Sequence, residues 1–137
     1  MNPTLRNTLA VIAGAVIGSF ANGGLIALSP SLIPPPAGAD VTTMEGLTAS
    51  LHLFEPKHFI MPFLAHAVGT LVGAFITALI AVNNKMRPAM IVGALFMVGG
   101  IMNVMMLPAP TWFCATDLIF AYIPMAWMGG RLGSRKA

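Results

Sequence analysis

Few residues in this chain could do chemistry, and most of them interrupt apolar runs. Asp117 follows Cys114-Ala115-Thr116, His66 sits in Phe63-Leu64-Ala65-His66-Ala67, Asn22 follows Gly18-Ser19-Phe20-Ala21, and Asn103 follows Gly99-Gly100-Ile101-Met102. Thr70 and Tyr122 lie a turn or so from His66 and Asp117. Polar side chains are costly in hydrocarbon, so each is a candidate for function by default, and a carboxylate there must find a partner or water. His66 is the obvious partner for Asp117, with Asn22 and Asn103 as neutral hydrogen-bond donors. Such a set could hold a proton or cation, receive a small ligand, or simply lock helix register. The candidate ligand- or ion-binding residues are therefore Asp117, His66, Asn22, Asn103, Thr70 and Tyr122.

No other chemistry stands out. There is no GxSxG, HExxH, P-loop or CxxCH motif, and the single Cys114 excludes an intrachain disulfide or a thiolate metal site. No catalytic residue, metal ligand or cofactor site is assigned, and bound lipid is the expected companion. His52, Glu55 and His58 are spaced three apart and could hold a metal, but a solvated cluster is the simpler reading. The methionines at 97, 102, 105 and 106 read as pliable packing residues.

The elements that must position these residues follow from composition. Of 137 residues, 57% are hydrophobic and only 8% are charged, where a soluble domain carries about 25%. That excludes a soluble enzyme, a nucleic-acid-binding domain and a disordered chain, and points to an all-α membrane protein. The net charge of +3 is a topology signal, and no nucleic-acid partner is implied. Four apolar runs, residues 5–28, 59–82, 89–107 and 112–130, approach or exceed the ~20 residues that span a bilayer. The first is read as a retained helix, since it exceeds a signal-peptide core and no small-x-small site precedes Asn22. The expected fold is a single four-transmembrane-helix bundle.

Six of the seven positive residues, Arg6, Lys85, Arg87, Arg131, Arg135 and Lys136, share one side of that topology. The positive-inside rule makes that side cytoplasmic, with both termini inside a bacterial inner membrane. Residues 29–58 then form the outer segment. Within it, Thr42 to Glu45 reads as a capping box, and Met44, Leu47, Leu51 and Phe54 follow at helical spacing. This predicts a short periplasmic amphipathic helix, resting on the bundle end or acting as a lid over a pocket.

At about 1.5 Å per residue, Asn22, His66, Asn103 and Asp117 all fall roughly 6–10 Å below the outer interface. Small residues share their faces: Gly14, Gly18 and Ser19 with Asn22, Gly69, Thr70, Gly73 and Thr77 with His66, and Gly99 and Gly100 with Asn103. The pairs Gly14/Gly18 and Gly69/Gly73 have GxxxG spacing, which marks packing faces in membranes. Phe75, Leu79, Phe96 and Met97 are expected to face lipid. Gly18-x-x-x-Asn22 and Gly99-x-x-x-Asn103 form a faint internal echo of two related hairpins. Pro124 is expected to kink the fourth helix and free the Phe120 carbonyl. Trp112 and Trp127 suit the two interfaces.

The segments Pro34-Pro35-Pro36-Ala37-Gly38, Glu55-Pro56-Lys57-His58-Phe59, Pro62-Phe63-Leu64-Ala65-His66 and Leu107-Pro108-Ala109-Pro110-Thr111-Trp112 resemble those of a group of small bacterial four-helix membrane proteins. The resemblance implies an inner-membrane location and brings no activity. Small multidrug exporters match in size, but their first-helix glutamate has no counterpart in residues 5–28. The Thr- and Phe-rich third helix of fluoride channels is likewise missing from residues 89–107. The functional expectation is a non-catalytic structural or accessory subunit, as a homo-oligomer or with other membrane subunits. The alternative is a small proton- or cation-coupled transporter or channel using Asp117 and His66.

Overall fold

Proline placement explains where the helices start. In the computed structural model, which describes residues 1–136, α1 is Pro3–Leu32, α2 Met44–Ser50, α3 Ile60–Ile80, α4 Met86–Met106, α5 Thr111–Phe120 and α6 Ile123–Lys136. Pro3, Pro62, Pro88 and Pro124 each fall in the first three positions of α1, α3, α4 and α6. There the missing N–H would have had no intrahelical partner, so these prolines define starts without breaking anything. Pro30 is the exception, lying inside α1 near its end. The helix therefore runs past Ser29-Pro30, where the first apolar run was expected to stop.

All regular structure among the described residues is helical, and three stretches, Pro3–Leu32, Pro56–Ile80 and Met86–Met106, are long and apolar enough to cross a membrane. The fourth apolar run is not one helix. It divides at Ala121-Tyr122 into α5 and α6. Ala121 N–H closes α5 on the Asp117 carbonyl, and the Tyr122 carbonyl accepts the Ala126 N–H of α6. Pro124 thus sits in the opening turn of a new helix and does not kink a continuous one.

The packing is inverted relative to a soluble protein. Large apolar residues of α1, among them Leu9, Ile12, Val16 and Phe20, are exposed, while its buried positions are Ala10, Gly14 and Gly18. Among the described residues the largest side chains with essentially no exposure are only Val92, Thr70 and Thr77. An apolar exterior around a small-residue interior suits a hydrocarbon solvent, where close backbone approach takes over from hydrophobic burial.

Helix α3 is central and packs on α1, α4 and α6. Gly18 faces the Gly69 carbonyl, and Gly73 faces the Gly14 carbonyl. The seam is crossed by Thr77, whose Oγ1 donates toward the Ala10 and Gly73 carbonyls (3.1 and 2.8 Å). Phe96 of α4 is wedged against Gly18 and Gly73, and Met97 packs with Tyr122 and Ala67. Neither of these two therefore simply faces lipid. On the other flank Gly129 and Gly133 of α6 meet the Leu71 and Phe75 carbonyls of α3. Gly99 has open space around it while Gly18 is tightly packed, so the sequence echo between the two hairpins has no packing counterpart.

The end of α3 is closed by α1. Arg6 Nε donates to the Ile80 carbonyl (2.7 Å), and Asn7 exchanges two bonds with Val82, Nδ2 to O (3.1 Å) and Oδ1 from N–H (2.8 Å). A helix C-terminus leaves carbonyls unpaired, and a cation there also opposes the helix dipole. Asn7→Ala, which strands a partly buried backbone pair, is expected to destabilise the fold by about 1–2 kcal/mol. Thermal unfolding in detergent checks this, with Asn2→Ala at the exposed cap of α1 as the weaker comparison.

Candidate functional site

The α5–α6 break assembles the site. Five residues along an unbroken helix would place Tyr122 about 140° around from Asp117. The break returns it, and Tyr122 Oη donates to Asp117 Oδ2 at 3.0 Å. His66 Nδ1 of α3 meets the same carboxylate at 2.8 Å (Oδ1) and 3.0 Å (Oδ2). Asp117 is 4% exposed and Tyr122 3%. The His66 and Tyr122 rings stack with centroids 5.9 Å apart. An ionised carboxylate can only accept, and against one His66 Nδ1 carries the hydrogen of this bond.

Neighbours fix this triad in place. Tyr122 lies over Gly100 of α4, where any Cβ would collide with its ring and hydroxyl. Thr70 does not join the triad, because its hydroxyl donates to the His66 carbonyl one turn back (2.7 Å). Asn22 and Asn103 make no hydrogen bond to Asp117, contrary to their expected role as its partners. Asn103 is exposed on α4. Asn22 Oδ1 is buried and has no hydrogen-bond partner.

Asn22, His66, Asn103 and Asp117 nevertheless surround one cavity of about 280 Å³. Its polar floor is roofed by the segment between α1 and α3, with Met44 and Leu47 of α2, then Leu51 and Phe54, over it. Phe59 ties this roof to the bundle, packing on Phe54, Trp112 and Phe113 with centroids 5.4, 5.5 and 4.6 Å apart. A second cavity of about 320 Å³ shares Asn22, His66, Gly100 and Asn103 with the first. Its margin is formed by Ser19 of α1 and by Leu95 and Gly99 of α4, all exposed on the bundle surface.

The segment between α1 and α3 makes polar contacts of its own. The N-cap of α2 is Thr43, whose Oγ1 accepts the Gly46 N–H (2.9 Å), and not Thr42 of the expected capping box. Thr42 instead donates its hydroxyl and amide to Asp40 Oδ1 (2.6 and 3.0 Å), which holds that carboxyl below its ordinary range. His58 is buried, with Nδ1 accepting the Glu55 N–H at 2.8 Å and its ring against Phe54. It is a structural residue here and not part of a solvated cluster with His52 and Glu55.

Comparison with protein-family models, with curated proteins and with solved structures finds no match for this chain. Its function must be argued from the site.

Proposed function

We propose that this chain is a four-span protein of the bacterial inner membrane, with both termini cytoplasmic. In this reading it is a non-catalytic accessory subunit of an oligomer or larger membrane complex, and its outer-leaflet cavity holds a small ligand. The fourth span would be α5 and α6 taken together, 10 and 14 residues, or about 36 Å of helix at 1.5 Å per residue. The orientation rests on the six positive residues that share one side.

The observation that carries the binding reading is the unpartnered Asn22 Oδ1, buried in the wall of a roofed cavity whose floor is a fully paired Asp117. A triad that served only to lock helices would need no space above it and no orphan acceptor beside it. Transport would need a water path from Asp117 inward past Thr70, Tyr122 and Thr77. Those three are at most 3% exposed, and Phe96 fills the adjoining seam. Binding is therefore preferred over flux.

Leu47→Trp tests the reading, because it fills the cavity from the roof and leaves the bundle interior alone. The expected result is loss of a copurifying small molecule or lipid by native mass spectrometry, with helicity and elution unchanged. Undiminished ligand in Leu47→Trp would defeat the proposal. A proton or cation flux in liposomes that disappears in Asp117→Asn would install the transporter reading in its place.

A further inference from the structure

The cavity under α2 is one part of a longer groove, and a single stripe of α1 runs along all of it. Ser19 and Asn22 line the cleft against α4, Asn22 and Ile26 the roofed cavity, and Ile26, Pro30 and Ile33 a further cavity of about 180 Å³. These residues follow one another at successive turns on one helix face. Neighbouring cavities share their other walls too, with His66, Gly100 and Asn103 at the inner joint and Leu47, Phe54 and Pro62 at the outer one. Inward, the groove ends where the Phe96 ring closes on Gly18 and Gly73. At the α2 end it meets a wide surface pocket through Ile33, Pro35 and His58, with Lys57 and Glu55 on the rim.

Length and polarity identify what fits. From Ser19 to Pro30 the stripe is about 16 Å long at 1.5 Å per residue. One leaflet of a bilayer offers about 15 Å of hydrocarbon, half of the ~30 Å core. No Lys, Arg or Glu lines the three inner cavities, and their one carboxylate, Asp117, is already paired with His66 and Tyr122. Leu47, Leu51 and Phe54 cross the groove as a strap. Along the cleft, Gly23 and Gly99 have nothing within 4 Å, so that side stays open to the membrane. Such a slot suits a hydrocarbon chain.

Positive charge appears only at the α2 end. Lys57 makes a loose 3.8 Å contact with Glu55, both side chains being exposed, and a pair of that kind is easily displaced by a stronger acceptor. Beside it, His58 Nδ1 accepts the Glu55 N–H (2.8 Å), so Nε2 carries the ring hydrogen. That N–H has no partner among the described residues and is not sealed from the surface.

Resting on the binding reading above, we propose that the occupant is a phospholipid of the leaflet at the α2 end. One acyl chain lies in the groove along α1, under the strap, and the phosphate takes Lys57 and the His58 Nε2–H at the rim.

Native mass spectrometry of the full chain in detergent tests this. The probes are dipalmitoyl phosphatidylglycerol, its dihexanoyl counterpart, dipalmitoylglycerol and a polyprenyl phosphate. The dipalmitoyl phospholipid is expected to bind most tightly. Lys57→Gln should weaken it by up to about fivefold, the worth of one exposed charge pair, and leave dipalmitoylglycerol unchanged. Ser19→Trp and Gly99→Trp fill the cleft from α1 and from α4 without reaching the roofed cavity, and should lose the phospholipid. Undiminished phospholipid in both cleft variants, equal affinity for the dihexanoyl and dipalmitoyl lipids, or binding of dipalmitoylglycerol or polyprenyl phosphate at least as tight would overturn the proposal. A copurified small molecule that survives in the cleft variants and is lost in Leu47→Trp would leave the cavity reading standing without it. Absence of any bound probe or copurified molecule from the unaltered chain would end both.

Discussion

Asp117→Ala is expected to be the most destabilising truncation of a polar side chain in this molecule, at about 2 kcal/mol. The magnitude follows from what the substitution strands. His66 Nδ1 and Tyr122 Oη both lose their acceptor, and Tyr122 is only 3% exposed. In a soluble core a broken buried pair costs about 3–5 kcal/mol. In a bilayer the unfolded helices also find partners, and single interhelical hydrogen bonds contribute about 0.6 kcal/mol on average, with a maximum near 1.7. Two such losses at one carboxylate give the lower figure. Tyr122→Phe removes one donor together with its need and should cost well under half as much. The triple change Asp117→Leu, His66→Leu and Tyr122→Phe leaves nothing stranded and should recover part of the loss. Unfolding in increasing SDS, followed by circular dichroism, ranks these variants. An Asp117→Ala protein that unfolds at the same SDS fraction as the parent would mean the triad adds no stability.

The residues of that triad were visible in the sequence, but their geometry was not. Asp117 and His66 stood out because charge and imidazole are rare in apolar runs, and counting rise per residue set them at one depth. Pairing Asp117 with Asn22 and Asn103 failed because depth says nothing about azimuth. Asn103 is exposed and borders the cavity without reaching the carboxylate, and Asn22 is held by the Gly69 contact in a position where its oxygen meets no donor. Tyr122 reached the carboxylate through a backbone break, and composition does not register a break inside an apolar run. Pro124 is the available signal, and within an apolar run it suggests a kink; a proline in the first turn of a new helix displaces the break to the residues before it. The boundaries of α3 and α4 were easier, since charged or proline-bearing loops flank them closely.

Phe96 shows a different limit. Hydrophobicity assigns large residues to lipid and small ones to the interior, and α1 follows that rule. Yet a glycine seam between α1 and α3 leaves a groove, and the nearest large ring on α4 fills it. Gly129 and Gly133 have GxxxG spacing, but the pair is split in the sequence, because the fourth apolar run stops at residue 130, one residue before Arg131. The helix continues to Lys136 and uses both glycines on α3.

Those glycines support the second large expectation, in which one methyl group has opposite effects at different sites. Gly14→Ala and Gly129→Ala should each destabilise the protein by about 1–3 kcal/mol, the range for overpacking a close contact. At Gly14 the added Cβ would run into Thr77 Oγ1 and the Gly73 carbonyl, and at Gly129 into the Leu71 carbonyl. Two of these three obstacles are backbone atoms, which cannot turn aside as a flexible side chain can. Relief at Gly14 would require α1 to move off α3, and that would pull on the Thr77–Ala10 bond and on the Arg6 and Asn7 contacts at the end of α3. Gly23→Ala and Gly24→Ala have nothing within 4 Å to strike, and alanine raises helix propensity by up to about 1 kcal/mol. They should be neutral or stabilising. SDS unfolding of the four variants side by side decides the matter. If Gly14→Ala proves as harmless as Gly23→Ala, close approach of α1 to α3 is not what holds this bundle together.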